Sequence, residues 1–357
     1  MRVKRCFHVG LSLMTAIVGL LWVATLRGDN AFPVSGYYLR LDLVSNEVEG
    51  NGRVIDPWGI AYLGSGPFWI NDEGTGFSSV YFGDGTPYFN VEVPAPQGPS
   101  TESSPTALVA NGRRDDFRGD SFIFATETGT ISGWRANFGP TAKLRIDRSA
   151  EGAIYTGLAL GRPRSSAARL FAANFGGGVI ESYDSDYRPL PTAGEHFVDP
   201  ALPAGFAPFG IANLKNRLWV TYALPRAARI GYPPPAERGF IDVFDLEGAL
   251  VTRFASGGAL NSPWGLVVAP KHFGQFSNDL LVGNFGDGTI SAFDFETGEY
   301  RGELFDASGS PVMIKGLWGL IFGNDGYAGS RESLFYTAGP NYGRAGVFGR
   351  IDARLEQ

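Results

Sequence analysis

Four aromatic side chains stand in one column of a phrase that returns six times, and their type and spacing suit ligand chemistry. The phrase reads Asp56-Pro57-Trp58-Gly59-Ile60, Ser104-Pro105-Thr106-Ala107-Leu108, Tyr155-Thr156-Gly157-Leu158, Ala207-Pro208-Phe209-Gly210-Ile211, Ser262-Pro263-Trp264-Gly265-Leu266 and Leu317-Trp318-Gly319-Leu320. Its variable column is Trp58, Thr106, Thr156, Phe209, Trp264 and Trp318. Tryptophan offers a flat face to a sugar or other planar ligand, with an N–H donor at its edge. Packing between neighbouring units is the competing role, and there each truncation would cost about 3–5 kcal/mol. Asn71, Asn174 and Asn284 form a second set, each near a turn. An amide can bind a ligand, or it can bond its own backbone two residues on. The candidate ligand-binding residues are Trp58, Phe209, Trp264, Trp318, Asn174 and Asn284.

No catalytic residue stands out. There is no Gly-x-Ser-x-Gly elbow for acyl transfer. His196 and His272 fall in different units, and neither has a neighbouring histidine to make a metal pair. Asp72-Glu73 and Asp184-Ser185-Asp186 do not complete a calcium-loop spacing. Asp184, Asp245 and Asp294 each follow an aromatic residue at a strand end and read as turn formers. No metal and no cofactor is expected.

The elements that would position these residues follow from the period. Positions 57, 105, 155, 208, 263 and 317 are separated by steps of 48, 50, 53, 55 and 54 residues. Self-similarity at that spacing marks an array of one supersecondary unit. Within a unit, apolar runs of about five residues alternate with Gly, Asp and Asn turns, which reads as a four-stranded meander. The fifth unit is clearest, with runs at 264–268, 280–284, 289–294 and 300–305. The expected fold is all-β, a six-bladed propeller of four-stranded antiparallel blades over residues 36–351. The last unit lacks an outer strand. Residues 37–43 alternate like a strand and belong to no unit, so they are expected to pair with the last blade and close the ring. Residues 94–105 and 224–238 read as surface loops, and 352–357 as a short tail.

In such a ring the phrase and the second-strand ends gather at one mouth. Asp147, His196, Asp199, Asp306 and Lys315, in the loops between blades, are expected to join them there.

Fifty glycines and 23 prolines in 357 residues suit many short strands and tight turns. The net charge is −6, of which residues 1–30 contribute +3, leaving the rest at −9. An acidic body without a basic stripe argues against a nucleic-acid partner. Residues 1–30 open with Met1-Arg2-Val3-Lys4-Arg5 and continue with an uncharged apolar run over residues 6–26. That is the pattern of a secretory signal or of a retained membrane anchor. The propeller is then exported, periplasmic or extracellular, and membrane contact is confined to residues 6–26 if the segment is uncleaved. Cys6 is the one cysteine, so disulfides do not support the exported part.

At the level of the repeat, Pro-x-Gly-Ile/Leu followed by Leu-x-Val-x-Asn and Gly-x-Ile-x-x-Phe-Asp resembles NHL-type propellers and gluconolactonase-like calcium propellers. The strings Phe122-Ile123-Phe124-Ala125-Thr126-Glu127, Leu202-Pro203-Ala204-Gly205-Phe206-Ala207-Pro208-Phe209 and Leu281-Val282-Gly283-Asn284-Phe285-Gly286-Asp287-Gly288 look like an uncharacterised exported bacterial family. Some of its members carry a PEP-CTERM sorting tail. The resemblance implies the propeller and no established activity. In the gluconolactonase family, metal ligands include Asn or Asp immediately before the glycine of the innermost strand. Here those positions are four aromatics and two threonines, which speaks against lactonase chemistry. The expected function is a non-enzymatic module that binds a small molecule, glycan or envelope protein. The alternatives are a metal-dependent hydrolase using Asp72, Glu73, Glu127 or Asn284, and a structural envelope scaffold.

Overall fold

The computed structural model describes residues 36–46, 54–98, 102–163, 167–191, 196–225 and 238–355. Six antiparallel sheets form the blades of a β-propeller. Blade 1 holds β2 (Pro57–Ala61), β3 (Phe68–Asp72), β4 (Phe77–Tyr81) and β5 (Pro87–Glu92). Blade 2 holds β6 (Pro105–Ala110), β7 (Phe122–Thr126), β8 (Thr130–Trp134) and β9 (Lys143–Asp147). Blade 3 holds β10 (Tyr155–Gly161), β11 (Arg169–Asn174) and β12 (Val179–Asp184). Blade 4 holds β13 (Ala207–Leu214), β14 (Arg217–Ala223), β15 (Phe240–Phe244) and β16 (Leu250–Ser256). Blade 5 holds β17 (Pro263–Val268), β18 (Leu280–Asn284), β19 (Ile290–Phe293) and β20 (Tyr300–Glu303). Blade 6 is β21 (Leu317–Phe322), β22 (Ser333–Ala338), β23 (Val347–Leu355) and, from the other end of the chain, β1 (Gly36–Ser45).

The ring closes as the alternating run at 37–43 predicts. β1 lies antiparallel on β23, from Gly36 opposite Leu355 to Ser45 opposite Val347. That pairing draws residues 352–355 into the sheet, so they are strand and not tail. Tyr38 fixes the seal: it is buried, lies 5.1 Å from the Phe273 ring of blade 5, and donates its hydroxyl to the Phe273 carbonyl at 3.2 Å.

Blade 3 departs from the expected four strands. Among the described residues its outer position carries only an isolated bridge, Tyr183 to Pro189, and a hydrogen bond from Leu190 N to Ser182 O. Pro189 and Pro191 have no N–H to donate to a ladder, so a regular edge strand does not form there. Most of the expected loop at 224–238, and the whole of residues 1–35, lie outside the described residues. Among the described residues no helix is long and apolar enough to cross a membrane.

The recurring phrase has a backbone cause. In each blade the innermost pair breaks register within it, between Pro57 and Ile60 in blade 1 and between Pro263 and Leu266 in blade 5. Such a bulge re-aims the side chain it carries, here towards the ring axis. The glycine of the bulge then meets the neighbouring blade. A Cβ on Gly210 would lie 2.3 Å from the Trp264 carbonyl oxygen, and one on Gly265 would lie 2.6 Å from that of Trp318. Gly319 faces the Trp58 carbonyl at 2.7 Å in the same way, across the junction of the last and first blades. Where the column holds threonine, its hydroxyl bridges the blades: Thr106 Oγ1 donates to Tyr155 O at 2.6 Å and Thr156 Oγ1 to Phe209 O at 2.7 Å.

Candidate functional site: the aromatic mouth

The bulges bring the column to the axis, where the aromatics close on each other. Trp58 stacks on Trp318 with ring centroids 3.5 Å apart, and Trp264 meets Trp318 edge-on at 5.8 Å. Phe285 stacks on the Trp318 ring at 4.1 Å, and Phe209 lies against Phe175 at 5.0 Å. Trp58, Phe209 and Trp318 are only 5%, 1% and 4% exposed, whereas Trp264 and Phe285 are half-buried. These rings plug the axial channel. Below them runs a small cavity of about 110 Å³ between the phrase backbones. Above them opens a larger one of about 560 Å³, the mouth.

Equivalent backbone bonds set the rim. In five blades the residue after the second strand donates its N–H to the segment entering the first strand. The pairs are Glu73 to Asp56, Glu127 to Ser104, Phe175 to Ile154, Phe285 to Ser262 and Gly339 to Gly316. Glu73 and Glu127 therefore occupy on blades 1 and 2 the place that Phe175 and Phe285 take on blades 3 and 5. One side of the mouth is acidic and the other aromatic.

Asp56 stands at the seam between them. Its φ of 46° puts a non-glycine residue in the left-handed region ahead of a proline, a conformation that costs free energy and is held by its surroundings. Gly339 and Gly343 make that possible: a Cβ on either would fall within 2.7 Å of the Asp56 carboxylate oxygens. The carboxylate accepts the Trp318 Nε1 hydrogen at 2.9 Å. The Trp58 N–H faces the same group without closing a well-formed hydrogen bond. Burial pushes Asp56 up to about 6, against the two indole N–H groups and with the charge of Glu73. Glu127 is pushed up to about 7 by burial, then by Glu73 and Asp56. Neighbouring Asp72 is fully buried, with Ser79 on one oxygen and no partner on the other, and burial raises it well above the carboxylate range.

The two asparagine candidates serve their own blades. Asn284 Nδ2 donates to Ala259 O, Thr289 Oγ1 and Ser291 Oγ, and its Oδ1 accepts Asn261 N at 2.9 Å. Asn174 Oδ1 accepts Ile154 N and Gly177 N, while its amide donates to Glu181. Of the interblade residues, Lys315 lines the mouth and is exposed. Asp147 and Asp306 cap local turns through Ser149 and Ser308. Asp199 pairs with Arg253 on β16. His196 sits away from the mouth: its Nδ1 lies 2.8 Å from Glu247 O, in the hairpin between β15 and β16, on the opposite face. The long segment after β12 runs past that hairpin before returning to the mouth, a path that no local pattern signals. Asp56, Phe175 and Phe285 are mouth residues that sequence reasoning misses, although the repeated string Asn-Phe-Gly at 174–176 and 284–286 is a usable signal. Among the described residues no three His, Cys, Asp or Glu side chains converge as a metal site.

Comparison with known proteins adds kinship to this geometry. No family model matches the chain. Over 333 residues it is 31% identical to the uncharacterised protein R648 of Acanthamoeba polyphaga mimivirus, covering 88% of this chain and 79% of the relative. The chain belongs to that protein's family. A second mimivirus protein, the uncharacterised L690, is 28% identical over 283 residues, covering 75% of this chain and 73% of its own. These relatives are viral and lend no support to the exported bacterial family that the phrases resemble. Solved structures share the fold at low identity. The apo-form soluble aldose sugar dehydrogenase of Escherichia coli superposes with a TM-score of 0.56 at 12% identity, covering 88% of this chain and 99% of its own. Virginiamycin B lyase of Staphylococcus aureus gives 0.51 at 13%, covering 89% and 99%. Both likenesses speak to the propeller alone.

Proposed function

We propose that this protein is a binding propeller that takes a small molecule into its aromatic mouth and carries out no chemistry on it. The observation that carries the reading is the 560 Å³ cavity floored by rings and edged by the carboxylates of Asp56 and Glu127. Concave, largely apolar spaces with a few convergent polar groups are where small ligands bind. Propellers that share the fold include enzymes by name, but fold alone does not carry an activity across.

Trp58, Trp264 and Trp318 give the site its own reporter. A panel of small molecules, with glycan fragments among them, is screened by tryptophan fluorescence. A binder should lose affinity about tenfold or more with Phe285→Ala, which removes an accessible ring from the wall. Unchanged affinity in that variant would move the site elsewhere. The rival reading, a metal-dependent hydrolase built on Glu73, Glu127 and Asp72, demands a stabilising divalent ion. Calcium, magnesium, manganese and zinc, each tested after EDTA, should leave the melting temperature where it was. An ion at a hundred times its dissociation constant would instead add about 2.7 kcal/mol and shift the transition visibly.

A further inference from the structure

The mouth holds an imbalance of charge that a ligand can complete. Asp56, Glu73 and Glu127 repel one another, as their mutual effects on protonation show. Among the described residues none of the three has a cationic side chain within ion-pair distance. Of these, Asp56 and Glu127 line the cavity; its third carboxylate, Asp287, is already engaged by Asn261 Nδ2 at 2.7 Å and by the Thr289 hydroxyl. Lys315 is the one cation on the lining; it is exposed and makes no ion pair with any described residue. The remaining titratable neighbours are the buried Asp72 and the exposed Tyr342.

A further feature points to the occupant. Phe175 and Phe285 line the same cavity as these carboxylates, and aromatic rings attract a desolvated cation.

Resting on the binding reading above, we infer that the mouth takes a small organic ammonium ion. The positive group sits in the cavity that Asp56, Glu127, Phe175 and Phe285 line together. Such binding draws both carboxylates into their charged forms and releases protons. Affinity should therefore rise with pH through the window from about 6 to about 7 in which the two groups titrate.

The test uses three molecules of one shape: choline, 3,3-dimethylbutanol and 3,3-dimethylbutanoate, titrated into the full chain by calorimetry. Choline is permanently charged, so its own state does not change with pH. Choline should bind about tenfold or more tighter than the neutral alcohol, with the carboxylate weakest. Its affinity should fall by a similar factor between pH 8 and pH 5. Glu127→Gln should weaken choline and leave the alcohol unchanged, with circular dichroism confirming the fold. Lys315→Met should strengthen choline by removing a like charge. Equal binding of alcohol and choline, with loss of both in Phe285→Ala, would keep the site and overturn the ammonium assignment. Tightest binding of the carboxylate would overturn it too, by making Lys315 the recognition group. Failure of all three molecules, together with a blank fluorescence panel, would overturn the mouth itself.

Discussion

Trp58 of the first blade and Trp318 of the last lie face to face, with centroids 3.5 Å apart and planes 19° from parallel. Both belong to the same column of the repeat, yet 260 residues of chain separate them. Their contact makes the plug a second ring closure, independent of the strand pairing between β1 and β23. Asp56 locks it, because the Trp318 N–H bonds its carboxylate. The column thus serves packing and mouth at once: the buried Trp58, Phe209 and Trp318 hold the blades together and line the mouth, while the half-buried Trp264 lines the small cavity below.

Trp318→Ala should consequently destabilise the protein by about 3–5 kcal/mol, the usual cost of emptying a buried aromatic site. Trp264→Ala should cost less, since its ring is half-buried and its one hydrogen bond runs to Thr156 O at 3.0 Å. Urea denaturation of the two variants compares them directly. Equal losses would show that the plug does not distinguish the two positions.

Removal of residues 36–45 should damage the fold far beyond a tail trim. It strips the outer strand of blade 6, exposes the β23 edge and empties the Tyr38 site against blade 5. A bare edge is a template for pairing with another chain. Light scattering and thermal melting should show both aggregation and a lowered transition, and an unchanged melt would refute the closure.

The glycine of the phrase should resist even alanine. At Gly210 the added carbon would meet the Trp264 carbonyl at 2.3 Å, too close for any real contact. Gly210→Ala should cost about 1–3 kcal/mol through forced backbone shifts. Blade 2 already carries alanine here, so Ala107→Gly should lack this penalty. A denaturant series on the two variants settles the comparison.

The mouth carboxylates should make stability fall as pH rises. Asp56 and Glu127 titrate in the folded protein at about 6 and about 7, above their unfolded values of 3.8 and 4.5. The native state therefore holds more protons than the unfolded chain between roughly pH 4 and pH 7, and stability declines across that window. Each tenfold difference in proton affinity between the folded and unfolded states is worth about 1.4 kcal/mol. Other groups add slopes of their own, so the measurement is a difference. Glu127→Gln should gain stability relative to the parent protein as pH goes from 5 to 8. A constant difference across that range would contradict the raised value.

What the sequence determined by itself is the repeat and all that follows from it. Period, glycine and proline placement and apolar alternation are local properties, so the six-blade plan was legible throughout and the strands of blade 5 almost to the residue. The closing strand was legible too, because the count of strands left one vacancy and one spare. The tertiary structure decided what composition could not: which blade lacks its outer strand, and what the column faces. Whether Trp58 opens to a ligand or packs depends on a bulge and on the approach of Trp318 across the ring. Asn174 and Asn284 showed only their residue type in the chain; in the fold their donors and acceptors are filled by their own blades. The pairing of an acidic rim with an aromatic one arises because blades 1 and 2 place glutamate where blades 3 and 5 place phenylalanine. That juxtaposition is made by ring closure between residues far apart in the chain, and no local pattern encodes a distance across the axis.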